Sequence, residues 1–90
     1  MKDKLKKVLK DKLSRDILEF FYQNQTSIDS VGGISAWVHE DREKVQEALD
    51  KLVKLGVLEK DTSGVTKGYS YTHDEKTMRI VKDLMHDAKR

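Results

Sequence analysis

Ser30-Val31-Gly32-Gly33-Ile34-Ser35-Ala36-Trp37-Val38, then His39-Glu40-Asp41, then Arg42 to Leu55, is the stretch that decides how this chain folds. Its first run is apolar at Val31, Ile34, Trp37 and Val38, the spacing of one helix face. Asp29 or Ser30 can cap that helix by accepting from a free backbone N–H of its first turn. Gly32 and Gly33 each cost a helix about 1 kcal/mol relative to alanine, so packing rather than propensity must hold it. Glycines in such a place let a neighbouring helix approach closely. The second run sets Val45, Ala48, Leu49, Leu52, Val53 and Leu55 on one broad apolar face. Gly56 follows, a residue able to take the left-handed conformation that closes a helix. Val57-Leu58-Glu59-Lys60 and Tyr69-Ser70-Tyr71-Thr72 then read as two antiparallel strands, joined through Thr62 to Gly68. Tyr69 and Tyr71 share one strand face, which favours cross-strand packing over stacking on a base.

Working outward, Leu5, Val8, Leu9 and Leu13 recur at helical spacing with lysines on the opposite side, and Ile17, Leu18, Phe20 and Phe21 form a second apolar set. Ser14 between them is a candidate N-cap. The stretch reads either as one bent helix or as a short arm followed by the first domain helix. The second reading gives a basic amphipathic arm over 1–13, a domain over 14–73 and a C-terminal helix over 74–90. Ile28 is a candidate short strand, and Asp74 caps a last helix running to about Lys89.

With 90 residues, 37% of them hydrophobic, the chain makes one domain that buries roughly 60–65% of its unfolded surface. A core that small leaves little room for an enclosed substrate cavity. Cysteine is absent, which removes disulfides, zinc-thiolate sites and thiol nucleophiles together. No apolar run approaches the roughly 20 residues of a membrane span, and the charged N-terminus lacks the apolar stretch of a signal peptide. The expectation is a cytoplasmic protein with no membrane partner. The net charge is only +2 but unevenly placed. Residues 1–15 hold seven bases and two acids, and the rest of the chain holds the other 11 bases and 14 acids. Long-range attraction to a polyanion would come from the N-terminal segment.

The order of elements resembles a winged helix-turn-helix domain over roughly Ser14 to Thr72. Its most specific parts are Glu47 to Glu59, which reads Glu-Ala-Leu-Asp-Lys-Leu-Val-Lys-Leu-Gly-Val-Leu-Glu, and the glycine-bearing wing. The Asp-Ser-Val-Gly-Gly-Ile run before Trp37 also looks like a group of small bacterial winged-helix proteins. The resemblance implies a mainly α fold with a small β-hairpin wing, a three-helix core plus the C-terminal helix. It also implies a non-enzymatic protein that binds duplex DNA as a small transcriptional regulator, with no cofactor. In such domains the N-terminal half of the long helix meets base edges and the wing reaches the backbone. Carried over, Arg42 is placed to take guanine O6 and N7, and Gln46 adenine N6 and N7, with Glu43 and Glu47 also facing the bases. Lys44, Lys67 and the N-terminal lysines become phosphate contacts.

A second reading stands beside it. The side of the long helix opposite its core face holds Glu43, Glu47, Asp50 and Lys54, three acids and one base. Glu40–Lys44, Glu47–Lys51 and Asp50–Lys54 are also acid-to-base pairs in the order that supports a solvated helix, about 0.2–0.5 kcal/mol each. That face suits a protein-interaction module as well as a reader of DNA. His39, His73 and His86 lack metal-ligand spacing and read as turn or surface residues. No nucleophile motif surrounds Ser14, Ser35, Ser63 or Ser70. Trp37 is expected at the core or its edge. In the last helix, Met78, Val81, Leu84, Met85 and Ala88, widened by Ile80, span roughly 160°, more than the ~100° one stripe requires. Met78, Val81, Leu84 and Met85 are therefore the expected homodimer interface; the alternative is that the Leu5–Leu13 segment covers them.

Overall fold

The computed structural model describes residues 2–61 and 68–88. Among them the elements run α1 (Lys2–Val8), α2 (Lys12–Gln23), β1 (Ile28–Asp29), α3 (Val31–Val38), α4 (Arg42–Lys54), β2 (Leu58–Asp61), β3 (Gly68–Tyr71) and α5 (Glu75–Ala88). The expected phosphate contact Lys67, with the rest of the wing tip, lies outside the described residues, as does the side chain of Ala88.

Helix α2 begins earlier than Ser14, which corrects the expected cap. The Asp11 carboxylate accepts from the Ser14 hydroxyl at 2.8 Å and from the Ser14 backbone N–H at 3.1 Å. Those two bonds, hydroxyl first, hold Asp11 below the usual carboxylate range. Ser14 is fully buried. A hydroxyl there is better used as a donor to an ionised cap than as the cap itself. The same device recurs, as expected, at the start of α5. There Asp74 accepts from the Thr77 hydroxyl at 2.6 Å and from its N–H at 3.0 Å.

Helix α1 is folded onto the domain. Leu5 is fully buried in the same cluster as Ile17, Phe21, Leu49 and Val81, and Val8, Leu9 and Leu13 pack against that cluster. Helix α4 is the centre of the fold, packed on α2, α3 and β2 through Val45, Ala48, Leu49 and Leu52. It ends where expected, with Gly56 at φ 84°. An alanine there would meet no steric obstacle, but its Cβ would be strained by the left-handed backbone.

The turn before α4 is closed by His39, which takes the left-handed conformation at φ 57°, ψ 46° and caps α3. The Ser35 hydroxyl donates to the Glu40 carbonyl across it. Ser30 caps the start of α3, its hydroxyl oxygen accepting from Gly33 N–H at 3.1 Å. Close approach at the glycine pair is real but confined to Gly32. The Arg42 guanidinium stands 2.9 Å from where a Cβ would project, so a side chain rather than a helix backbone fills the space.

Three antiparallel strands form a sheet in the order β1-β3-β2, with Ile28 opposite Ser70 and Leu58 opposite Tyr71. β3 lies between the other two, and both of its tyrosines, Tyr69 and Tyr71, turn into the core and are buried there. Gly68 is needed at its edge: a Cβ would come within 2.6 Å of a methyl of Ile28. In α5, Val81, Leu84 and Met85 are buried, while Met78 and Ile80 are partly buried against the same cluster. Most of the wide apolar sector of α5 is thus covered within one chain.

Candidate nucleic-acid interface

The helix pair α3 and α4 presents the N-terminal half of α4 at the surface, and the three described candidates sit on it in different surroundings. At about 100° per residue, Arg42 and Gln46 are neighbours on one flank, and Lys44 lies roughly 160° round the helix from both. Arg42 is exposed, with its guanidinium laid along α3 over Gly32. Gln46 is half-buried and faces the sheet. Its amide Nε2 donates to Asp50 Oδ1 at 2.9 Å and to the Tyr69 hydroxyl oxygen at 2.9 Å. Both amide hydrogens are therefore in use, and Oε1 remains as an acceptor. The two-bond contact to adenine expected from the sequence requires Gln46 to give up one of these bonds. In the arrangement seen here it offers an acceptor to a base amino group.

Lys44 faces the other way, into an open groove of about 500 Å³ between α2 and α4. Glu40 lies 3.8 Å from its ammonium, and Asp11, Asp16 and Glu47 line the same groove together with Lys12 and Lys51. Its charge is largely offset by these neighbours. Of the three acid-to-base pairs expected along α4, Glu40–Lys44 alone closes among the described residues. Asp50 is bonded to Gln46 instead. Glu43, Glu47, Asp50 and Lys54 are all exposed on the outer side of the helix.

A cation not anticipated from the sequence joins Gln46 at Tyr69. Lys60 on β2 pairs across the sheet with Tyr69, and its ammonium sits 6.0 Å from the centre of that ring. Tyr69 thus holds Gln46 through its hydroxyl and Lys60 over its face. The strand register that sets Lys60 opposite Tyr69 is specified by no sequence pattern. Trp37 also departs from expectation. It is 55% exposed rather than an anchor of the core, and its ring lies 4.7 Å from that of Phe20 between centres. His39, His73 and His86 are all exposed. Among the described residues no three metal-ligating side chains come together, and no helix is long and apolar enough to cross a membrane.

No protein-family model and no curated protein matches this sequence. Solved structures do. HlyU from Vibrio cholerae superposes with a TM-score of 0.73 at 16% identity, over 97% of this chain and 90% of its own. The transcriptional repressor BigR from Xylella fastidiosa superposes with a TM-score of 0.69 at 19% identity, over 89% of this chain and 75% of its own. MepR of S. aureus, solved in complex with DNA, gives 0.69 at 16% identity over 96% and 73%. At these identities the agreement is one of fold, and it extends from α1 to α5 rather than being limited to the central helices. The chain folds as a winged helix-turn-helix domain.

Proposed function

We propose that this protein is a non-enzymatic, duplex-DNA-binding transcriptional regulator that reads DNA with one flank of α4. The observation that carries the reading is the grouping of Gln46 and Lys60 around the buried Tyr69 where α4 meets the sheet, with the exposed Arg42 one turn before Gln46 on the same flank of α4. The neighbours of the same fold support it, since they include a transcriptional repressor and a protein solved in complex with DNA. In this reading Arg42 and Gln46 meet base edges, while Lys60 and Lys67 meet phosphates. Lys44 contributes less, because Glu40 and the neighbouring carboxylates already balance it. Anisotropy of a labelled generic duplex, titrated at low and at physiological salt, tests the proposal. Binding at about 10⁻⁴–10⁻⁶ M that weakens steeply with salt is the expected result. No binding at low salt would reject it.

One observation favours a second reading. Glu43, Glu47 and Asp50 remain exposed on the outer face of α4, where phosphates would lie. A winged-helix protein-interaction module is the function that fits such a face if DNA is not bound. A homodimer through α5 has a narrower basis than the sequence suggested. Val81, Leu84 and Met85 are buried in the chain's own core, which among the described side chains of α5 leaves the partly buried Met78 and Ile80 as apolar surface for a second copy.

A further inference from the structure

The surface formed by α2 and α3, away from the reading flank of α4, carries an exposed tryptophan in acidic surroundings. Trp37 is 55% exposed, whereas Phe20 beneath it is half-buried and stacked edge-on against the core ring of Phe21 at 5.2 Å between centres. The indole is therefore mounted on a rigid aromatic base, with one part of its surface open to solvent. Beside it lies a hollow of about 340 Å³ lined by Asp16, Glu19, Gln23, Trp37 and Val38. That lining holds two carboxylates and no base. One oxygen of Asp16 takes the exposed Lys12 ammonium at 2.8 Å, and Glu19 accepts a long bond from Gln23 at 3.3 Å. Neither partnership is buried, so both exchange at small cost. An exposed large aromatic that contributes little to the core is the kind of residue that anchors interfaces.

We propose that this hollow is a docking site for an arginine-bearing segment of a partner protein, one guanidinium lying on the Trp37 indole. Charge selects the occupant. The free lone pairs of Asp16 and Glu19 accept N–H donors, and the flat face of the indole attracts a cation. Arginine satisfies both demands at once, because its planar fork stacks on an aromatic ring while its edge donates to carboxylates. A lysine ammonium can meet one of them at a time. An acidic or purely apolar segment would leave the two carboxylates repelled or desolvated. The site uses no residue assigned to DNA, so it stands whether or not the protein binds a duplex.

Trp37 is the only tryptophan in the chain, so its fluorescence reports on the site directly. The protein is titrated with a capped Gly-Arg-Leu-Arg-Gly peptide, and with the same peptide carrying lysine or glutamate in place of arginine. The expected result is a saturable change in emission with the arginine peptide, on the order of tenfold weaker binding with lysine, and none with glutamate. The double variant Asp16→Asn, Glu19→Gln keeps the indole and the helical circular dichroism, and it should bind the arginine peptide at least about tenfold more weakly. No saturable change with the arginine peptide would overturn the proposal, and so would undiminished binding by the double variant. An emission shift that depends on concentration in the protein alone would also overturn it, because the occupant would then be the lysine-rich α1 of a second copy.

Discussion

At the scale of single residues, the most instructive side chain is Tyr71. It is buried to 1% exposure, and among the described residues its hydroxyl is a buried side-chain polar atom without a hydrogen-bond partner. Burial, reinforced by the nearby Tyr22, pushes its phenol up to about 12. Tyr71→Phe removes an unsatisfied group and leaves the ring packing against Tyr22, so a gain of about 1 kcal/mol in unfolding free energy is expected from chemical denaturation. The same group sets an alkaline limit. Because the folded phenol titrates above its ordinary value of 10.0, the unfolded chain loses the proton first. Stability therefore falls as pH rises from about 10 to 12, by on the order of 2–3 kcal/mol, and the fall should be largely absent in Tyr71→Phe. Tyr69 differs because its hydroxyl is engaged. Tyr69→Phe should cost roughly 1 kcal/mol and release one amide hydrogen of Gln46. On DNA, that release should strengthen preference for adenine at the contacted step, a change readable by competition between duplexes that differ at one base pair.

At the scale of elements, the helix starts and the strand pair show how far sequence reasoning reached. The α4 face, the Gly56 stop, the Ser30 and Asp74 caps and the strand at Ile28 were all legible, because each depends on local chemistry or on the periodicity of a helix. The cap of α2 was misplaced because Asp11 and Ser14 are both good cap residues. Only packing, which buries Ser14, decides which one accepts. Trp37 was misread for a related reason. Its place in the apolar periodicity of α3 says that it faces the domain, but not that Phe20 fills the position beneath it. The network of Gln46, Tyr69 and Lys60 was invisible because its partners come from three elements. Gly32 offers a test at this scale. Gly32→Ala should raise helix stability by up to about 1 kcal/mol while displacing the Arg42 guanidinium, which is the mobile end of a side chain. If Arg42 reads bases from that position, thermal unfolding will rise while discrimination between duplexes changes.

At the scale of the whole molecule, charge placement organises the behaviour. Asp11 and Asp74 cap the starts of α2 and α5, Glu59 on β2 accepts from the His73 backbone before α5, and each is held below its ordinary value by hydrogen bonds. The donor is Ser14 for Asp11, the His73 backbone N–H for Glu59 and Thr77 for Asp74. All three carboxylates are depressed in the folded state. Their contribution is therefore complete above their ordinary values of 3.8 to 4.5 and is lost as pH falls below them. The melting temperature should stay level between about pH 5 and 8 and decline below about pH 4, with the Asp11→Ala variant declining less. Burial of Leu5 in the shared core further implies that removing residues 1–10 destabilises the domain rather than trimming a free arm.

The central claim is that DNA is read by one flank of α4, and backbone amide shift mapping during titration with a short duplex at low salt tests it most directly. The account predicts that the shifts gather at Arg42, Gln46, Lys60 and Tyr69 and spare Asp16, Glu19 and Trp37. Shifts centred on the groove around Lys44, or none at all, would contradict it.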